Sequence, residues 1–121
     1  MNIEEIREYC LSIKGATESL PFIGNDVLVF KVMEKMFAFI ALEPKDYVFR
    51  VNLKCNPDKS IELRDRYNVV SSTKFNPLHW NAVAIESDVP SKVIQELIQH
   101  SVEEVINKLP KYKRNQYLEE S

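Results

Sequence analysis

The sequence predicts an α+β domain, a single antiparallel sheet of about five strands packed by helices in the order α-β-β-β-α-β-β-α. Three observations carry this. Residues 27–54 hold three strand-like runs joined by short turns, which favours an antiparallel meander over parallel crossovers. Two further apolar runs follow a helix with a clear start signal. Towards the C-terminus, apolar residues recur every three to four positions from Val93 to Leu109, the stripe of a helix laid across a sheet.

Taken in order, Ile3, Ile6, Tyr9, Cys10 and Ile13 fall at helical spacing, so residues 2–13 read as a first helix with Gly15 as its stop. GATESLPFIGND then holds both glycines and a proline and reads as a connecting loop. VLVFKVM (27–33) puts Leu28, Phe30 and Val32 on one strand face. After a Met33-Glu34-Lys35 turn, MFAFIAL (36–42) is apolar on both faces and reads as a central strand. YVFRVNLK (47–54) alternates, with Phe49, Val51 and Leu53 opposite Arg50, Asn52 and Lys54.

Asn56 is a good N-cap, Pro57 suits the first helical position and Asp58 complements the helix dipole, so a second helix runs to about Tyr67. NVVSSTKF reads as a short extended segment, NPLH as a turn and WNAVAIE (80–86) as the last strand. In that strand Trp80, Ala82 and Ala84 share one face, and a large ring beside two alanines suggests a core position for Trp80. Asp88 and Pro90 open the third helix and Pro110 ends it. Residues 1–110 therefore form one domain, and 111–121 are expected to be a frayed, charged tail.

Composition narrows the function classes. At 121 residues the chain buries a core without needing disulfides or metal. It has no apolar run long enough for a membrane span, and an acidic amphipathic N-terminus rather than a secretory signal, so a cytoplasmic protein is expected. Cys10, Cys55, His79 and His100 do not form a metal-ligand spacing, and no cofactor is expected. A Cys55–His79 nucleophilic pair would need the two side chains within hydrogen-bond reach, and nothing in the sequence places His79 beside Cys55, so the inert reading is preferred. Phosphate-loop and serine-hydrolase signatures are absent from the sequence, and no enzymatic activity is expected.

The net charge of −2 is unevenly distributed: residues 31–80 carry +3 and residues 108–121 carry +2, while 1–30 and 81–107 carry −3 and −4. Lys31, Lys35, Arg50, Asn52, Lys54 and Lys74 fall on or beside the central strands, where they would meet phosphates if their faces aligned. An exposed Trp80 or Tyr47 would stack a base, and His79 stands next to Trp80. The competing class is protein interaction, with the doubly apolar MFAFIAL strand as a peptide-holding surface on a monomer or weak dimer.

Four blocks, REYCLSIKGATESLPF, VFKV with KMFAFI, LKCNPDKSIELRDRY, and HWNAVAIE with its Pro-initiated helix ending in KL, occur in an order that resembles the MmcQ/YjbR family. The likeness covers roughly residues 4–109. It implies a small bacterial cytosolic protein of secretion-chaperone-like or CyaY-like fold. It also implies DNA binding through a double-wing arrangement of hairpins. Two departures matter for that last implication. Met33-Glu34-Lys35 stands where glycines are usual in the hairpin turn, and Pro77-Leu78 stands where a basic residue usually precedes His79-Trp80.

Overall fold

The computed structural model describes residues 1–20, 26–73 and 76–119. The expected α+β class holds, with one open antiparallel sheet of six strands among the described residues. Helix α1 (Ile3–Ser12) starts in a reciprocal cap: the Asn2 side chain accepts from the Glu5 N–H and the Glu5 carboxylate accepts from the Asn2 N–H. Strand β1 (Thr17–Ser19) then pairs with β2 (Val27–Val32), and β2 with β3 (Lys35–Ala41). Strand β4 (Arg50–Lys54) leads into helix α2 (Pro57–Arg66), whose N-cap Asn56 accepts from the Asp58 N–H at 2.9 Å. Strands β5 (Val70–Ser72) and β6 (Trp80–Ala84), then helices α3 (Ser91–Asn107) and α4 (Lys111–Glu119), complete the chain.

The sheet order is β1-β2-β3-β4-β6-β5, so β6 returns to lie between β4 and β5. Strand β3, apolar on both faces, is central as its composition predicts. The register slips between Phe30 and Lys31, which lets the neighbours Phe37 and Ala38 both be fully buried. Helix α3 packs on β2, β3 and β4, and the core joins its Ile94, Ile98 and Val102 to Ile6, Phe30, Ile40, Val51 and Val83.

Two expectations are corrected. The connecting loop contains an edge strand, β1, which a polar three-residue segment does not announce in sequence. Its Glu18 lies on the helix side and receives two hydrogen bonds from Arg7, at 2.5 and 2.7 Å. The C-terminal segment is also not frayed over its described length. Residues 111–119 form α4, tied to the body through Tyr117, whose hydroxyl donates to the Lys14 carbonyl at 2.8 Å. The Lys14 ammonium in turn lies 4.9 Å from the Tyr117 ring centroid and donates to the Tyr117 carbonyl.

The β2–β3 connection is a two-residue turn with positive φ at both Met33 (49°) and Glu34 (65°). This is the geometry that asparagine and glycine favour, and a side chain with a Cβ costs about 1–2 kcal/mol at each position. Strand β4 begins later than expected, at Arg50. Tyr47 instead belongs to the preceding turn, with a φ of 61°, where its N–H donates to the Pro44 carbonyl.

Candidate functional site

Because Val51 and Leu53 point into the core, alternation places Arg50, Asn52 and Lys54 on the other face of β4. There they stand opposite Ala84, Ala82 and Trp80 of β6. Four of the residues expected to contact nucleic acid thus share one sheet face, and Lys31 of β2 falls on it too. Their side chains are nevertheless engaged differently. Arg50 is paired with Asp46 at 2.7 Å, and the Asn52 amide donates to the Phe39 carbonyl at 3.2 Å. Trp80 is only 5 % exposed, its ring 5.5 Å from that of Phe39. A base has no access to that ring, whereas Tyr47 is 91 % exposed.

Lys54 does not stay with Arg50 and Asn52. With Lys35 at the start of β3 and Lys108 after α3, it lines an open groove of about 280 Å³ whose other walls are Met36, Val105 and Leu109. Burial lowers the Lys54 ammonium pKa and Lys108 pushes it the same way, while Glu104 opposes them and Lys35 adds the smallest downward push. Its backbone is fixed by α3, since the Lys54 N–H donates to the buried Ser101 hydroxyl at 2.9 Å. Three positive charges from three elements therefore converge where the hairpin and the end of α3 meet. Lys108 was missed in the sequence, where its sole signal is the basic excess of the C-terminal segment. Lys74 lies outside the described residues.

The turn before β6 is built by Arg64 of α2. Its guanidinium donates to the buried Asn81 side chain at 2.9 Å and to the Pro77 carbonyl at 2.7 Å, while Asn81 donates to Ser60 at 2.9 Å. This network sets the course of the chain into His79 and Trp80. His79 is half-buried, its Nδ1 has no hydrogen-bond partner among the described residues, and its carbonyl accepts from the Cys55 N–H at 2.7 Å. The backbones of Cys55 and His79 are thus neighbours. Burial, however, pushes the Cys55 thiol pKa up, outweighing the opposite pulls of Ser60 and Lys59, so the nucleophilic thiolate is disfavoured.

A second concavity, a cleft of about 810 Å³, opens where α4 meets the turn after β2. Lys14, Thr17, Lys31, Met33, Glu34 and Tyr117 line it with Gly15. Among the described residues no cluster of His, Cys, Asp and Glu could hold a metal ion, and no helix is long and apolar enough to cross a membrane.

Comparison with known proteins gives a consistent answer. A family model described as YjbR matches residues 11–103. The chain is 27% identical over 115 residues to the uncharacterized protein YjbR of Escherichia coli K12, covering 94% of this chain and 95% of that protein. It superimposes on the crystal structure of Deinococcus radiodurans protein DR2400 with a TM-score of 0.84 at 27% identity, covering 96% of this chain and 87% of that one. A Pseudomonas syringae protein, 21% identical, shares the fold with a TM-score of 0.72 over 84% of this chain and 96% of its own.

Proposed function

The chain belongs to the YjbR family, and from that premise we propose that it is a non-enzymatic protein that binds the DNA backbone, gripping phosphates with the lysine groove at the hairpin end of the sheet. The observation that carries this reading is the convergence of Lys35, Lys54 and Lys108 on one groove. Like charges held together on a partly desolvated floor are stabilised when a phosphate enters between them, because the anion offsets both the repulsion and the lost hydration. Backbone contacts of this kind supply affinity without sequence preference.

The surrounding residues support a non-specific mode. Trp80 is buried and the Asn52 amide is engaged with the Phe39 carbonyl, so neither is offered for base readout. Arg50 adds a peripheral cation only if it exchanges Asp46 for phosphate, which an exposed pair does at small cost. The protein-adaptor reading has less support. The strand invoked as a peptide-holding surface places Phe37 and Ile40 fully in the core.

Fluorescence anisotropy with a mixed-sequence duplex at low salt tests the proposal. Binding is expected to weaken with salt, with a log–log slope of about −3 for three phosphate contacts. Lys35→Glu with Lys54→Glu is expected to abolish it while the protein stays folded. No binding at tens of micromolar protein, or binding unchanged in that double variant, would overturn the proposal.

A further inference from the structure

The cleft beside α4 is a different site from the lysine groove, and its charges are arranged in another way. Lys31 and Glu34 line it together, yet among the described residues neither has an ion pair or a side-chain hydrogen bond, with each other or with anything else. Lys14, in contrast, is committed to Tyr117. A cation and a carboxylate thus face one open space without pairing with each other. The Thr17 hydroxyl stands beside Lys31, since the two are cross-strand partners between β1 and β2. Met33 and the Tyr117 ring add apolar wall.

Met33 and Glu34 occupy the two left-handed positions of the turn. Local backbone preference favours glycine or asparagine there, so these side chains are held at the cleft against it. Strained backbone of this sort gathers at ligand-binding positions. The volume lies within the range of small-molecule sites, about 300–1,000 Å³.

We propose that this cleft binds a small zwitterion carrying an apolar side chain, an amino acid or a dipeptide. Lys31 and Thr17 take the carboxylate, Glu34 takes the ammonium, and Met33 and Tyr117 cover the side chain. The charge pattern selects this class: a simple anion would leave Glu34 repelling it, and a simple cation would meet the same obstacle at Lys31. The proposal is independent of DNA binding, because none of these residues lines the lysine groove.

Calorimetric titration of the full chain with L-methionine, L-phenylalanine and L-alanyl-L-phenylalanine is the test, with the N-acetyl and C-terminal amide forms of each as controls. At least one free zwitterion is expected to bind saturably, and its two blocked forms about tenfold more weakly. Which of the three binds separates an amino-acid site from a dipeptide site. Lys31→Gln should weaken the zwitterion and erase the preference for acid over amide. Glu34→Gln should weaken it and erase the preference for free amine over N-acetyl. Glu34→Gly removes the carboxylate while relieving the turn, so it should melt higher than the parent and still lose binding, which separates loss of the site from loss of fold. No saturable binding of any free zwitterion up to about 10 mM overturns the proposal. So does equal binding of blocked and free forms, or affinity unchanged in Lys31→Gln and Glu34→Gln.

Discussion

Ser101 sits within the apolar stripe of α3 with no exposure, and its hydroxyl connects three elements. It donates to the Phe37 carbonyl of β3 at 2.5 Å and accepts from the Lys54 N–H of β4 at 2.9 Å. Ser101→Ala leaves a buried acceptor and a part-buried donor unmatched, so urea denaturation is expected to show a loss of about 1–3 kcal/mol. Ser101 belongs to the same helix as His100, whose Nε2 accepts from the Asn56 N–H at 3.1 Å, a bond that only the neutral ring can accept. Burial lowers the His100 pKa from 6.5, Lys59 lowers it further, and Glu104 and Glu103 pull it back. A folded pKa below the unfolded one means the unfolded chain binds the proton first. The stabilisation is therefore complete above about pH 6.5 and is lost as pH falls through the folded value. Urea midpoints measured between about pH 7 and about pH 5.5 should decline, and His100→Gln, which does not titrate, should flatten that slope; the bond itself is worth about 0.5–1.5 kcal/mol.

Among the elements, α4 is the least integrated. It has nine residues, none of them buried, and its contact with the body centres on Tyr117 against Lys14 and Gly15. An isolated helix of that length is marginal in water, since about 12–15 residues are needed to offset nucleation. Tyr117→Ala is accordingly expected to melt α4 alone: amides 111–119 lose hydrogen-exchange protection while global stability falls by less than about 1.5 kcal/mol. The frayed-tail expectation followed the charged composition of the segment and had no view of the docking partner, which lies 103 residues away. Strand β1 escaped detection for the same reason. Its three polar residues are held by pairing to β2 and by Arg7 of α1, not by any propensity of their own. By contrast α2 was legible almost to the residue, because the Asn56 cap and Pro57 act within one turn of where they are written.

For the molecule as a whole, sheet order and charge placement go together. Inserting β6 between β4 and β5 carries Trp80 to the register position opposite Lys54, and its ring packs against Phe39 from two strands away. That makes the His79-Trp80 stretch a packed corner, with the Arg64–Asn81–Ser60 network behind it. Alternation along YVFRVNLK correctly separated Val51 and Leu53 from Arg50, Asn52 and Lys54. It did not reveal that Arg50 turns to Asp46 while Lys54 joins Lys35 and Lys108. The class of fold, the central strand, the Asn56 cap of α2 and the family were all determined by the sequence alone, because each is written in local periodicity or in blocks of neighbouring residues. Which lysines meet, which aromatic ring is covered, and which cation and carboxylate are left facing one cleft were decided only by tertiary structure. A surface charge has the same local signature whatever it faces, and its neighbours come from elements far apart in the chain.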